Sequence, residues 1–297
     1  MTVQEEVTIA IPGLPVGTAL SPSRASDFLT CPLLFRFRAI DKLPERPSPA
    51  AVRGTLVHAV LEDLYDLPAA ERTVDAAQAM LLPTWQKLVA EDPRLALALD
   101  PNADFPLAVG AEATHPTEAE LAKWLTTAEP LIETYFDLEN PQRLEPDARE
   151  LRIEVQLEGG PPLRGIIDRV DVAPDARIRV VDYKTGRSPG HGFEQKSLFQ
   201  MRFYALMLWR RNGTIPTRLQ LIYLGDSQVL TYDPTEDELL SFEKTLRALW
   251  TTITRVAAAG NWQAKESKLC GWCDRHAKCP AKGGTTPPLP IDLTTRP

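Results

Sequence analysis

The sequence predicts an α/β (α+β) fold, in which helical segments surround a short run of strands. Apolar residues recur at three- and four-residue spacing in segments on both sides of the middle of the chain, which is typical of helices. The middle itself switches to alternation of apolar and polar residues, which is typical of strands. A chain of 297 residues with 43% hydrophobic and 25% charged residues can bury a sizeable core. We therefore expect one domain over residues 1–297.

The first half of the chain is predicted to be helical. Serines in SPSRASDFLTCPLLFRFR can cap a short helix, and the stretch ERPSPAAVRG is predicted to be a proline-rich loop. From Thr55 to about Leu67, apolar residues at helical spacing predict a second helix with His58 beside its apolar stripe. Residues 74–150 alternate helical patterns with proline-rich breaks, so we expect a helical insertion there.

Three strands and a helix are predicted in the second half. The segment LRIEVQL, residues 151–157, is a half-buried strand with Glu154 on its polar face. After a strand hairpin, KSLFQMRFYALMLWRR is a helix that presents Gln200 and Tyr204 on one face, four residues apart. The Pro/Thr-rich residues 284–297 are expected to be a disordered tail.

The hairpin brings two carboxylates together. Its strands LRGIIDRVDV and RIRVVDYK are joined by a tight turn, and centring that turn on Asp175 places Arg169 opposite Val181 and Asp168 opposite Asp182. Two like charges directly opposite each other destabilise a sheet unless something neutralises them. A divalent cation would do so.

The motif VVDYKTG adds a cation to this pair. Asp182 and Lys184 point to the same face because side chains alternate along a strand. Two carboxylates can hold Mg²⁺, which polarises a phosphate, and the lysine can stabilise the negative charge that develops. His58 is a candidate additional ligand. The alternative is an ordinary pair of surface aspartates and a lysine at a strand end.

Charge is unevenly distributed along the chain. The net charge is −7, but residues 91–158 hold 16 Asp/Glu against 5 Lys/Arg, which leaves 28 Lys/Arg against 24 Asp/Glu elsewhere. An anionic partner is therefore compatible with part of the surface. The sequence has no apolar run long enough to span a membrane and starts without a signal-peptide pattern, so we expect a cytoplasmic protein.

Four cysteines suggest a second metal site. Cys270, Cys273 and Cys279 lie in one short segment, and Cys31 comes from the other end of the chain. Four thiolates can hold either a structural Zn²⁺ or a [4Fe-4S] cluster, and ligand type alone does not separate the two. Either metal would join residues 270–279 to the N-terminal region.

Taken together, these motifs resemble the RecB-family exonucleases of the PD-(D/E)XK superfamily, in particular the iron-sulfur-containing subgroup that includes AddB-like and CRISPR-adaptation nucleases. The similar pieces are SPSRASDFLTCP, RGTLVHAVLE, IEVQLEGGPPLRGIIDRVD, VVDYKTG, QMRFYALML and CGWCDRHAKCP. The resemblance implies a PD-(D/E)XK nuclease core, with a central mixed sheet flanked by helices. It also implies roles for particular residues: Mg²⁺ or Mn²⁺ ligation by His58, Asp168, Asp182 and the backbone carbonyl of Tyr183, catalysis by Lys184 with Glu154 in support, and DNA contacts by Gln200 and Tyr204.

The resemblance favours a [4Fe-4S] cluster over zinc. It implies a metal-dependent DNA exonuclease acting on single strands or DNA ends, in DNA repair or recombination. No GxxxxGK[ST] phosphate loop occurs in the sequence, so any helicase partner would be a separate protein. Two alternatives remain: a non-catalytic nucleic-acid-binding module that carries the cluster, and a zinc-stabilised nuclease acting on RNA.

Overall fold

A mixed β-sheet lies at the centre of the structure. The structure, a computed structural model, describes residues 11–15, 17–100, 105, 116–190 and 194–290. The sheet has five strands in the order β1-β2-β3-β4-β5: Ala148–Gln156, Pro162–Val172, Ile178–Lys184, Arg218–Tyr223 and Gln228–Tyr232. Only β3 and β4 pair in parallel; the other neighbours in this sheet are antiparallel. This mixed sheet with flanking helices confirms the predicted fold class.

Nine α-helices surround the sheet in the part of the chain that the structure describes. They are α1 Pro22–Thr30, α2 Pro32–Phe35, α3 Pro49–Asp63, α4 Val74–Ala79, α5 Leu81–Glu91, α6 Glu118–Leu125, α7 Glu129–Leu138, α8 Gln195–Asn212 and α9 Glu236–Ala259. A π-helical turn, Arg36–Ile40, continues α2. None of the described helices is long and apolar enough to cross a membrane.

Helix starts follow capping chemistry. The Ser21 side chain accepts a hydrogen bond from the Arg24 amide, as expected for the cap of α1. The Ser48 side chain caps α3 in the same way, and Pro49 occupies its first turn, where a missing amide proton costs nothing. The helix that carries His58 therefore begins at Pro49. The prediction of a loop through residues 49–54 was wrong for this reason.

The hairpin has the predicted register. Arg169 lies opposite Val181, Val172 lies opposite Ile178, and the Ala173 amide donates to the Arg177 carbonyl across the turn. One position further along β2, the Asp168 side chain accepts a hydrogen bond from the Tyr183 amide. The Asp168 carboxylate is thereby held at the end of β3.

Both faces of the sheet are covered. Val180 packs in one apolar cluster with α1, α8 and α9, whereas Val181 and Tyr183 pack in a second cluster with α3, α5 and α7. Neighbouring residues lie in different clusters because side chains alternate across a strand. Asp182 consequently lies on the face covered by α8, and the helices of the predicted insertion cover the opposite face.

Two predicted boundaries differ from the structure. β1 begins at Ala148, so the helical segment after residue 74 ends before residue 150, and its residues 101–104 and 106–115 lie outside the described residues. The tail predicted from residue 284 is partly hydrogen-bonded: the Gly284 amide donates to the Cys279 carbonyl, and the Pro287 carbonyl accepts from Arg36. Residues 291–297 lie outside the described residues.

Candidate active site

The end of β3 carries the acidic and basic groups that the sequence predicted to act together. The Asp182 side chain is buried, and its Oδ2 forms an ion pair with Lys184 Nζ without accepting a hydrogen bond of normal geometry. The Asp168 side chain reaches the same strand end through its 2.7 Å hydrogen bond from the Tyr183 amide. β2 and β3 therefore place two carboxylates and an ammonium group at one edge of the sheet.

Helix α3 brings His58 to this edge. His58 Nδ1 lies 3.3 Å from Asp168 Oδ2, and its ring packs edge-on against the Tyr183 ring. The close approach of α3 depends on Gly54, where an added Cβ would lie 3.1 Å from the Thr185 hydroxyl. A Cβ at Gly54 would crowd the Thr185 hydroxyl, which would have to shift by a few tenths of an ångström.

Glu150 on β1 completes a group that sequence reasoning missed. His58, Glu150 and Asp168 each offer a ligand atom, and these three atoms lie within 4.8 Å of one another. Among the described residues, this is the set of His, Cys, Asp and Glu side chains close enough to hold one metal ion. The register of β1 and β2 places Glu150 across from Asp168, although Glu150 adopts a positive φ of 42°. A non-glycine residue with positive φ is uncommon and marks a locally constrained backbone.

The predicted supporting carboxylate lies elsewhere. Glu154 is opposite Arg164, four residues along β1 from Glu150, and it is exposed. Asp182 also lies outside the three-residue group, although it adjoins Asp168. The structure thus groups Glu150 with His58 and Asp168, where the resemblance implied Asp182 as their partner and Glu154 in support.

The raised pKa values of Glu150 and Asp182 show that burial and neighbouring carboxylates disfavour their ionised forms. Burial, together with the charges of Asp168 and Glu62, raises the pKa of Glu150 from 4.5 to about 7. Burial and the charge of Asp168 raise the pKa of Asp182 to about 6, although the Lys184 ammonium opposes that rise. A divalent cation would favour the ionised form of both carboxyls, so the site has the donors and the charge that a hard cation needs.

His58 experiences the opposite balance. Burial lowers the pKa of His58, but the hydrogen bond to Asp168 and the charges of Asp168 and Asp182 outweigh that effect, so the pKa is raised. The acidic surroundings thus attract positive charge. A bound cation would replace that proton.

Helix α8 supports Asp182 through the predicted glutamine and tyrosine. Gln200 Nε2 donates to Asp182 Oδ1 at 2.8 Å and to the Tyr204 hydroxyl at 3.1 Å. Burial and the nearby Asp182 raise the pKa of Tyr204, so its hydroxyl keeps its proton. An added Cβ at Gly165 would lie 3.0 Å from the Tyr204 ring, so this glycine makes room for the tyrosine.

Comparison with known proteins assigns these motifs to a family. The sequence model of the PD-(D/E)XK nuclease superfamily matches residues 19–280, which is most of the chain and includes every site residue described above. The chain belongs to the PD-(D/E)XK nuclease superfamily.

Three known proteins are similar to this chain over most of its length. The Gene 69 protein of Mycobacterium phage D29 is 28% identical over 276 residues, which cover 88% of this chain and 96% of that protein. The Gene 69 protein of Mycobacterium phage L5 is 25% identical over 290 residues, which cover 88% of this chain and 95% of that protein. A crystal structure of a candidate exonuclease from Eubacterium rectale has a TM-score of 0.54 at 11% identity, covering 92% of this chain and 91% of that one, which shows a shared fold.

A groove of about 1280 Å³ leads to the PD-(D/E)XK site. Lys184, Gln200 and Tyr204 line it at the site end, and α1 together with β1 and β2 forms its walls. Its lining contains five Lys/Arg and two Asp/Glu: Arg38, Arg152, Arg164, Lys184 and Lys196 against Asp27 and Glu154. The groove is therefore basic although the whole chain is acidic, as expected for a path that receives a polyanion.

The four cysteines surround a second, smaller cavity. Cys31, Cys270, Cys273 and Cys279 all line a cavity of about 130 Å³, and each is half-buried. The Lys265 amide donates to Cys31 Sγ and the Ser267 amide donates to Cys270 Sγ, both at 3.4 Å. Among the described residues, no three cysteine sulfurs lie within 4.8 Å of one another. The structure thus brings both ends of the chain together, without the tight sulfur grouping of a single-ion site.

Proposed function

We propose that this PD-(D/E)XK protein is a divalent-metal-dependent deoxyribonuclease that removes nucleotides from single-stranded DNA or DNA ends. The observation that carries the proposal is the grouping of His58, Glu150 and Asp168 beside the Asp182–Lys184 ion pair. This set lies at the end of a basic groove, so a phosphodiester chain bound in the groove would reach these residues.

His58, Glu150 and Asp168 would hold the cation, with Asp182 at the boundary of the group. Asp182 fits this role because its buried carboxylate adjoins Asp168 and already neutralises one cation, the Lys184 ammonium, through Oδ2. Mg²⁺ or Mn²⁺, when bound, polarises a phosphate and lowers the pKa of water. Ligation by the Tyr183 carbonyl is part of the same proposal, since the Tyr183 amide already bonds Asp168.

The remaining residues stabilise charge on the substrate or hold other groups of the site in position. Lys184 Nζ would donate to a phosphate oxygen as negative charge develops there, and its ion pair with Asp182 keeps it at the edge of the groove. Gln200 holds Asp182 through Oδ1 and so orients the carboxylate. The Tyr204 hydroxyl accepts from Gln200 and can still donate its own proton to a substrate oxygen. Glu154 lines the groove, so it would contact the substrate rather than ligate the cation.

We propose that the cysteines hold a [4Fe-4S] cluster that stabilises the junction of the chain ends. Tetrahedral zinc would hold four sulfurs ~3.8 Å apart, given Zn–S bonds of about 2.3 Å. The four cysteines line one cavity, which supports a shared metal site, and the resemblance carried by CGWCDRHAKCP supports the cluster over zinc. The two amide-to-sulfur hydrogen bonds suit thiolates that carry negative charge. Biologically, we propose a role in DNA repair or recombination alongside a separate helicase or repair protein.

A nuclease assay tests the main proposal. The substrates are end-labelled linear single strands, circular single strands, duplex DNA and RNA, each incubated with Mg²⁺, Mn²⁺ or EDTA. We expect linear single-stranded DNA to be shortened from an end with either metal and to remain intact with EDTA, while circles resist. Cleavage restricted to RNA, or activity that persists in EDTA, would contradict the proposal; no cleavage of any substrate would favour the non-catalytic binding module.

A further inference from the structure

The basic groove and the cysteine cavity meet at one place on the surface. Thr30 and Arg38 line both of them. Lys265 Nζ donates to the Leu29 carbonyl at 3.0 Å, which fixes the start of the cysteine segment beside the end of α1. A chain that lies in the groove and leaves it past Thr30 would therefore meet the cysteine segment next.

Exposed apolar side chains concentrate at this junction. The three most exposed large apolar residues of the described chain are Trp272 at 87%, Leu269 at 58% and Leu29 at 50%. Leu29 lines the groove, and the other two line the cysteine cavity. Leu29 and the Leu269–Trp272 segment, far apart in sequence, thus line adjoining cavities, which indicates a surface that binds a ligand.

Trp272 is unusual among the tryptophans of the chain. Trp85, Trp250 and Trp262 are each less than a tenth exposed, whereas the Trp272 ring is almost entirely open to solvent. Leaving an indole in water gives up most of the burial energy that this side chain offers. Its flanking residues Cys270 and Cys273 are both tied into the cysteine cavity, so the ring is presented on a segment anchored at both sides.

The charges around Trp272 indicate the chemistry of the partner. Residues 265–282 contain five Lys/Arg and two Asp/Glu, in a chain whose net charge is −7. Arg275 is buried and pairs with Glu45, and Lys282 pairs with Glu266. Lys265, Lys268 and Lys278 remain against Asp274, so the segment keeps an excess of positive charge. A positively charged surface with an accessible aromatic ring is the combination that binds single-stranded nucleic acid, because cations attract the phosphates and bases stack on the ring. An apolar protein partner would give no reason for the excess of cations.

We propose that Trp272 is an outer stacking platform for single-stranded DNA, which lies in the basic groove with one end at the PD-(D/E)XK site and extends across the junction to residues 265–282. This inference rests on the proposed function and deepens it, since it names the single strand as the ligand and a second contact for it. Stacking on Trp272 would be independent of base sequence, because every base presents a π-face. Only a strand long enough to reach from the groove to Trp272 would gain this contact.

The test measures binding rather than cleavage. Fluorescence anisotropy with labelled oligo(dT) of increasing length is recorded in EDTA, with Lys184→Ala protein so that no strand is cut. We expect the affinity to rise by a step at one length, and Trp272→Ala to remove that step, weakening binding of long strands by about tenfold. Trp272→Phe should retain most of the step because it keeps a π-face.

Two controls separate stacking from other effects. Leu240→Ala on α9 removes an exposed apolar side chain, 38% accessible, that lines neither cavity, and should retain the step. Metal content is measured for every variant, so that any comparison is made between proteins with equal loading. The inference is overturned if Trp272→Ala binds long strands as tightly as its parent, if Trp272→Phe loses as much as Trp272→Ala, or if the parent shows no length step. If the Lys184→Ala protein binds strands with the step but the unsubstituted protein cleaves nothing in Mg²⁺, the proposed nuclease function alone is refuted.

Discussion

The substitution Glu150→Gln distinguishes the site seen in the structure from the one the sequence suggested. It removes the charge of the carboxyl whose pKa burial, Asp168 and Glu62 raise from 4.5 to about 7, and it changes the side-chain volume little. The matched control is Glu154→Gln, which makes the same chemical change at an exposed position on the same strand. If the grouping of Glu150 with His58 and Asp168 is correct, the two variants should behave differently.

The pKa of Glu150 sets the size and sign of the effect on stability. A carboxyl with a raised pKa in the folded protein favours folding below its unfolded pKa, and this contribution disappears as the pH rises through the folded pKa. The rise from 4.5 to about 7 corresponds to at most ~3 kcal/mol, and solvent screening of this half-buried group reduces that to about 1–2 kcal/mol. In EDTA at pH 8, Glu150→Gln should therefore melt ~2–3 °C above the parent. At pH 4 the difference should vanish.

Mg²⁺ should reverse the order of the melting temperatures of Glu150→Gln and the parent. Added Mg²⁺ should raise the melting temperature of the parent more at pH 8 than at pH 5.5, because protons compete with the cation at Glu150 and Asp182. Glu150→Gln should lose most of the Mg²⁺-induced shift, and its activity should fall at least ~10-fold. Differential scanning calorimetry with EDTA or Mg²⁺ measures both effects. The reasoning is refuted if Glu150→Gln matches the parent in EDTA at pH 8, or if Glu154→Gln loses the Mg²⁺ response instead.

Three further predictions concern the remaining site residues. Lys184→Ala should abolish cleavage while circular dichroism and metal content stay at parental values, because Lys184 is half-exposed at a strand end. Tyr204→Phe should lower the cleavage rate with an unchanged melting temperature, since it removes the hydroxyl bonded to Gln200 but keeps the packed ring. Protein purified without oxygen should be brown and carry about four irons with little zinc. Replacing Cys31 by Ala should lose as much iron as replacing Cys273, because both line the same cavity.

Each of these has a clear contrary result. A folded Lys184→Ala protein that cleaves at the parental rate would remove the lysine from catalysis. Full activity in Tyr204→Phe would assign the tyrosine to packing alone. About one zinc and no iron would replace the cluster by zinc and leave the nuclease proposal standing, while full iron in Cys31→Ala would show that Cys31 is no ligand.

Much of the site could be predicted from local sequence because its geometry is local. A tight turn makes the register of a hairpin depend on counting residues, so Asp168 could be placed beside the end of β3 from the position of Asp175 alone. Gln200 and Tyr204 share a helix face because their spacing is four, and the structure joins them by a hydrogen bond. Patterns of period two and period three to four likewise predicted the strands and most of the helices.

Glu150 could not be found in this way. Alternation along β1 puts Glu150 and Glu154 on the same side, so periodicity does not choose between them. The choice depends on the register between β1 and β2, which places Glu150 across from Asp168 and Glu154 across from Arg164. That register is set by the packing of the whole sheet, and Glu150 adopts it with a positive φ of 42° that the sequence does not signal.

The sequence by itself therefore determined the fold class, the hairpin, and the helix face of Gln200 and Tyr204, and it predicted two sets of candidate metal ligands. Only the tertiary structure decided which carboxylate of β1 joins His58, how far the cysteine sulfurs lie apart, and that the cysteine cavity adjoins the basic groove at Thr30 and Arg38. The physical reason is the range of the interactions. Turns, alternation and helical spacing act over a few residues, whereas these three features depend on side chains brought together from strands, helices and chain ends that are far apart in sequence.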